Sequence, residues 1–331
     1  MKAGPHNALT DVPGLLVGHA AITDGLSGTT VVRAPDGGAV GGVDVRGAAP
    51  GTRETDLLDP RNTVQRVHAL VFSGGSAYGL AAADGVMAAL EAEGAGVAVP
   101  GGVVPIVPAA VVFDLGRGGS FGARPGPATG AAALAAARGG PVEQGVVGAG
   151  AGAVVGGLKG GIGTASAVLD SGATVAALVV LNARGSAVDL DTGEPYAARL
   201  GLPGEFPVLD VDPAVLTAKL AAPPPTIGTA TTLAVVATDV TLDKAGCARL
   251  AGMGHDGLAR AISPAHTALD GDTAFGLSTA TRPAPDLVEL VELQAVAADV
   301  VSRAVVHALL AATTVTTPAG TWIGYRDAAR S

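Results

Sequence analysis

A pair of hydroxyls, Thr231 and Thr232, opens the apolar run Leu233 to Val240, directly after the stretch LAAPPPTIGTA at Leu220 to Ala230. Three consecutive prolines hold a chain extended and unpaired, so this stretch is expected to deliver the two threonines to the start of a strand. A strand-initial threonine can serve as a nucleophile, although threonine also suits β structure for its own sake. Lys159 stands in LKGGIGTAS, where flanking glycines leave its ammonium room to reach a site; the other reading is a lysine that snorkels to the surface. Asn182 ends the uncharged run Ala173 to Leu181. A neutral amide there can donate to a developing oxyanion or make a turn before Arg184 and Gly185. Asp270 and Asp272 flank Gly271. Two such carboxylates could orient an amine and Lys159 by charge-assisted hydrogen bonds, form an Asp-Gly turn, or, with His266, offer ligands to a hard cation. No further ligand cluster accompanies them, and no metal is expected. Finally, SGGS at Ser73 to Ser76 precedes a predicted helix, so its N–H groups could form an anion nest, though without the Lys and Ser/Thr of a phosphate-binding loop.

The elements that must position these groups are legible from the apolar pattern. Short Val-rich runs between glycine-rich turns read as buried strands: Leu15 to Gly18, Thr29 to Val32, Val97 to Val99, Val175 to Leu181 and Leu233 to Val240. Helices are expected over Ala77 to Glu93, capped by Ser76 and ended by Gly94, over Leu242 to Ile262 with Thr241 as cap, and over Asp286 to Ala312. In the last, Leu287, Leu290, Val291, Val301 and Val305 recur at three- and four-residue spacing, the stripe of a helix lying on a sheet. No period of 20 to 50 residues appears, and the reading is one α/β or α+β domain.

Taken together and in chain order, several motifs resemble one family. They are LTDVPGLLVGH at Leu9 to His19, FSGGSAYGL at Phe72 to Leu80, KGGIGTAS at Lys159 to Ser166, TTLAVVATD at Thr231 to Asp239, HDGLARAI at His255 to Ile262 and PAHTALDGDTAF at Pro264 to Phe275. The chain resembles the self-processing L-aminopeptidase/D-esterases, β-peptidyl aminopeptidases and 6-aminohexanoate (nylon) oligomer hydrolases. The resemblance implies a four-layer α/β/β/α sandwich like that of the N-terminal-nucleophile hydrolases, usually as tetramers, and a precursor that cuts itself before a Ser or Thr. Carried over by motif, the nucleophile is Thr231, and the chain would mature into residues 1–230 and 231–331. Scission also makes chemical sense, because it frees an α-amine with an intrinsic pKa of about 7.7–8.0 that can accept the proton of its own residue's hydroxyl. By the same resemblance Asn182 becomes the oxyanion donor, Lys159 the charge that lowers the amine's pKa, and Asp270 and Asp272 their orienting carboxylates. Phe113, Asp114, Ser76 and Tyr78 are the expected substrate contacts. Two positions depart from the pattern: Ala230 precedes the nucleophile where Asn or Gly is common, and Phe113 replaces a Tyr found in some members. An uncleaved, inactive chain of the same fold is therefore a second reading.

Composition bounds the partners. Among 331 residues 48% are hydrophobic and only 15% charged, so long segments must be buried on both sides. Gly numbers 50 while aromatics are 3%, which implies closely apposed layers. A net charge of −9 argues against a nucleic-acid groove, and one cysteine, Cys247, excludes an intramolecular disulfide and fits a reducing cytoplasm. Cys247 is expected to pack rather than react. The uncharged stretches Gly94 to Phe113 and Ala221 to Thr238 are broken by prolines and do not read as membrane spans. A rival of another class remains: Gly148, Gly150 and Ala153 spell GxGxxA, with Asp170 about twenty residues on, the fingerprint of an NAD-binding oxidoreductase. It requires a helix to open at those glycines, yet Gly156, Gly157, Gly160, Gly161 and Gly163 follow, each costing about 1 kcal/mol inside a helix. The hydrolase is expected to need no cofactor, to act on small peptide, amide or ester substrates, and to bind neither nucleic acid nor membrane.

Overall fold

Two β-sheets stack face to face and each carries helices on its outer side. The computed structural model describes residues 1–207, 209, 211–220 and 230–329; most of the proline-stiffened stretch read from the sequence lies outside them. The smaller sheet runs Leu16–Ala21, Gly28–Arg33, Ala69–Ser73, Ala109–Val111 and Thr52–Arg53 in spatial order. The larger runs Gly161–Val168, Thr174–Leu181, Leu233–Val240, Thr273–Arg282, Ala39–Val45 and Arg66–Val67. Strands from before and after the Ala230–Thr231 peptide thus share one sheet, Leu233–Val240 and Thr273–Arg282 lying side by side between pairs of earlier strands.

The period-2 alternation of the central strands makes the layers. Leu233, Val235 and Ala237, with Ala176, Leu178 and Val180 of the neighbouring strand, face Val32, Leu70, Phe72 and Ala110 of the smaller sheet. Ala234 and Val236, with Val175, Ala177 and Val179, turn the other way to meet Leu250, Leu258, Val301 and Val305 of two long helices, Lys244–Ala261 and Leu287–Ala311. On the far side, Val31, Val71 and Ala109 pack on Val86, Leu90, Ala133 and Leu134 of helices Ala82–Ala92 and Pro127–Ala135. The result is the expected α/β/β/α order, with three apolar cores and nearly continuous apolar central strands buried on both faces. Small residues close the spacing as composition implied. A Cβ on Gly276 would run into the Cys247 carbonyl oxygen, so the Lys244–Ala261 helix lies directly on the sheet backbone.

Several local expectations are corrected. The first helix begins late, because Ser76–Ala81 is a 3₁₀ turn entered from Gly75 and the α-helix is Ala82–Ala92. Asp243, not Thr241, caps the Lys244–Ala261 helix, accepting the Gly246 N–H. Val97–Val99 is not a buried strand. It pairs with Gly102–Val104 in a separate hairpin that leaves Val97 and Val99 exposed. In the Leu287–Ala311 helix Val301 and Val305 are buried as predicted, but Leu287 and Val291 are 75% and 59% exposed because the first turns overhang the sheet. That helix is long and apolar enough to cross a membrane, yet most of its apolar length is buried inside this fold. Cys247 is fully buried, and burial pushes its thiol up to about 12, a packing residue rather than a nucleophile.

Candidate active site

Thr231 sits at the mouth of the Leu233–Val240 strand, 5% exposed, held by partners on three sides. Its N–H donates to the Asn182 carbonyl at 2.6 Å. Its hydroxyl donates to the carbonyl oxygen of Ala230 at 2.6 Å, the carbonyl it would attack in self-scission. That oxygen also accepts the Gly271 N–H at 3.1 Å, through a parallel bridge between Ala230 and Asp270. The Ala230 carbonyl is therefore polarised by a fixed amide donor while the alcohol lies against it. The donor demands glycine at 271: a Cβ there would meet the Ala49 carbonyl and stand 2.7 Å from the Thr231 hydroxyl oxygen.

Asn182, fully buried, holds Thr231 with its backbone and has its side chain aimed by others. The Oδ1 atom accepts from Arg117 Nη1 at 2.7 Å and from the Val154 N–H at 3.0 Å. Two donors on one side of the amide fix its flip, which leaves Nδ2, among the described residues, with a single 3.5 Å contact to the Phe113 carbonyl. A loosely committed N–H donor on a rigidly oriented amide is what an oxyanion site requires. Lys159 is fully buried and gives its ammonium to the carbonyls of Gly150, Ala153 and Gly160 at 3.1, 2.8 and 2.8 Å. Burial and the Arg117 charge pull its pKa well below the ordinary lysine value, and Asp114 opposes them. Three carbonyl acceptors suit the protonated group. The snorkelling alternative is excluded. A single peptide unit joins the two residues, since the Ala153 carbonyl takes the lysine and the Val154 N–H of the same unit takes Asn182.

The two aspartates flank Thr231 without reaching Lys159, and that part of the expectation is corrected. Asp272 accepts the Thr232 N–H at 2.6 Å on one oxygen and His266 Nδ1 at 2.8 Å on the other. Asp270 accepts the N–H and hydroxyl of Thr267 at 2.9 and 2.5 Å and the Arg184 N–H at 3.2 Å. Both brace the backbone around Thr231. The Ser73 to Ser76 loop does not present a free nest. Gly75 N–H is taken by Asp114 Oδ1 at 2.7 Å, and the N–H groups of Gly74 and Ser76 go to the carbonyls of Gly28 and Val112. Asp114, 2% exposed, is pushed above the ordinary carboxylate range by burial, against hydrogen bonding and the nearby Arg117 and Lys159 charges. Of the other expected substrate contacts, Phe113 touches Asn182 through its carbonyl. Ser76 and Tyr78 are placed further out, Tyr78 54% exposed beneath the Arg124 guanidinium at 3.6 Å.

Sequence reasoning missed Arg117. It is half-buried, desolvation of its guanidinium pulls its pKa down to about 10, and it ties Asn182 to the Gly152 carbonyl at 2.6 Å and to the C-terminal hairpin through the Thr317 hydroxyl on its own carbonyl. A lone arginine between glycines, in LGRGGS, carries no local sign of this. The dinucleotide reading fails on structure: Gly148–Gly150 makes one 3₁₀ turn and is followed by the strand Val154–Val155, with no helix to receive a pyrophosphate.

Residues 7–323, almost the whole chain, match peptidase family S58. The chain belongs to that family. It is thus a hydrolase of peptide or linear amide bonds. An uncharacterized aminopeptidase of Mycobacterium leprae is 48% identical over 95% of this chain and 93% of its own. The 6-aminohexanoate-oligomer endohydrolase of a Kocuria species is 32% identical over 81% of this chain and 74% of its own. The fold is similar to that of the L-aminopeptidase D-Ala-esterase/amidase of Ochrobactrum anthropi, described as a variant of the Ntn hydrolase fold. That match has a TM-score of 0.73 at 22% identity and covers 98% of this chain and 92% of that one.

Proposed function

We propose that the chain cuts itself between Ala230 and Thr231 and then works as an N-terminal-threonine amidohydrolase on short peptides, amides or amino-acid oligomers. The observation that carries this reading is the Thr231 hydroxyl on the Ala230 carbonyl oxygen, with the Gly271 N–H on that same oxygen. In scission the Thr231 oxygen adds to the Ala230 carbonyl carbon, closing a five-membered ring whose oxyanion faces Gly271. The C–N bond then breaks, the nitrogen takes a proton, and an ester is left. Water adds to that ester and releases the Ala230 carboxylate and the free threonine. The new amine stays beside the Asn182 carbonyl that already holds this nitrogen at 2.6 Å.

In turnover the unprotonated amine accepts the proton of its own hydroxyl as that oxygen attacks the substrate carbonyl. Asn182 Nδ2 faces the developing oxyanion, and Lys159, tied to Asn182 through the Ala153–Val154 peptide unit, supplies the charge that favours the neutral amine. The amine then returns the proton to the leaving amine, and water hydrolyses the acyl-threonine. Because two strands of the later fragment lie between pairs of strands of the earlier one in the larger sheet, maturation would leave the sandwich joined. The reading places the enzyme in the cytoplasm as a homotetramer, which size-exclusion chromatography with light scattering tests. Hydrolysis of amino-acid amides, β-peptides and 6-aminohexanoate oligomers by wild type and Thr231→Ala tests the chemistry: activity absent from the variant supports it, and equal activity in both overturns it.

A further inference from the structure

The loop that brings Asp270, Gly271 and Asp272 to the nucleophile contains a residue to which neither the proposed chemistry nor the motif reading gives a catalytic part. His266 holds its backbone at φ +55°, in the left-handed region that few residues other than Gly and Asn enter readily. It grips one oxygen of Asp272 twice, through Nδ1 at 2.8 Å and its own N–H at 3.1 Å. The other Asp272 oxygen is thereby turned to the Thr232 N–H at 2.6 Å, the peptide immediately after the nucleophile. The Thr232 carbonyl in turn accepts the Thr273 N–H at 3.2 Å, so the strand end is clamped from both sides.

The other face of the imidazole is also fixed. His255, fully buried on the Lys244–Ala261 helix, stands edge-on to His266 with ring centroids 4.7 Å apart. Its Nε2 donates to the Asp44 carbonyl at 2.8 Å. Asp44 is itself bound by Arg46 at 2.9 Å, and Arg46 also faces Asp256 at 3.6 Å. Burial lowers the pKa of His255, and the bond to the Asp44 carbonyl opposes it. The remaining ring nitrogens, His255 Nδ1 and His266 Nε2, are buried without a hydrogen-bond partner among the described residues. Packed edge-on against His255, the His266 ring makes one polar contact among the described residues, through Nδ1 to Asp272.

We propose that His266 is a positioning residue of the hydrolase: by fixing the torsion of Asp272 it sets the register of the Thr231–Thr232 backbone, and so the aim of the nucleophile. The inference rests on the Thr231 reading. Its test compares His266→Gly, which accepts the backbone angle but has no donor, with His266→Asn, which accepts the angle and restores a donor. Both are measured for self-cleavage rate, kcat, KM and melting temperature, beside Thr231→Ala. Misplacing a reacting group by about 1 Å costs on the order of 10²-fold in rate. His266→Gly is therefore expected to lower kcat and the self-cleavage rate by about 10- to 100-fold with KM within about twofold, and His266→Asn to recover most of the loss. Wild-type rates in His266→Gly, or equal loss in both variants, would overturn the proposal. Unaltered activity in Thr231→Ala would instead sink the nucleophile assignment on which it stands.

Discussion

Gly271→Ala isolates the geometry of scission from the identity of the nucleophile. The added methyl would meet the Ala49 carbonyl oxygen, lie 3.0 Å from the Ala49 carbonyl carbon and stand 2.7 Å from the Thr231 hydroxyl oxygen. Two of these three neighbours are backbone, and Ala49 is pinned by its own N–H to the Asp270 carbonyl at 3.0 Å, so the obstruction cannot be relieved by a rotamer change. Overpacking of this kind costs about 1–3 kcal/mol. At about 2 °C per kcal/mol for a chain of this size, the melting temperature should fall by roughly 2–6 °C, leaving the protein folded. The effect on chemistry should be larger. A shift of residue 271 away from Ala49 carries its N–H off the Ala230 oxygen, and the methyl itself crowds the Thr231 hydroxyl. Loss of one oxyanion donor typically slows acyl transfer by about 10²–10³-fold. A time course of freshly synthesised protein on denaturing gels gives the scission rate, and differential scanning calorimetry the stability. Scission within twofold of wild type, at any melting temperature, would refute the assignment of this donor.

Two other substitutions address separate parts of the account. Asn182→Ala should lower kcat for amide substrates by about 10²–10³-fold with little change in KM, measured by steady-state kinetics on the matured enzyme. Glu205 is buried in a network with Arg303 (2.7 Å), His307 (2.8 Å) and Asn7 (2.8 Å). Burial would raise its pKa, but hydrogen bonds from His307, Arg303, Leu202 and Asn7 outweigh it and hold the carboxyl well below the usual glutamate range. A depressed carboxylate contributes stability above its unfolded pKa of about 4.3 and loses it as pH falls towards the folded value. Glu205→Gln should thus destabilise the protein by about 3–5 kcal/mol at pH 7, because Arg303 is left buried without its counter-charge. Urea denaturation should show that gap narrowing below about pH 4.

The layers were legible because apolar alternation and glycine content are local properties. The run from Leu233 to Val240 fixed a strand buried on both faces, and the threonines before it fixed what that strand would present. What escaped notice depends on where the chain returns. Leu287 and Val291 share a helical stripe with Val301 and Val305 but overhang the sheet, and spacing alone does not say where a sheet ends. Thr241 and Asp243 are both acceptable caps, and the chain bends at the second. Arg117 and His266 act on residues 65 and 6 positions away, through bonds that exist only after folding. The Asp270 and Asp272 pair illustrates the same limit. Their place beside Thr231 followed from the motif, but the groups they hold, Thr267, Arg184, Thr232 and His266, are set by the loop's path.

Mass spectrometry of the purified protein under denaturing conditions addresses the central claim most directly. Two species, one ending at Ala230 and one beginning with a free amine on Thr231, are the predicted result, with catalytic activity rising as they accumulate. A single intact 31.8 kDa chain that hydrolyses amide substrates at full rate would contradict it.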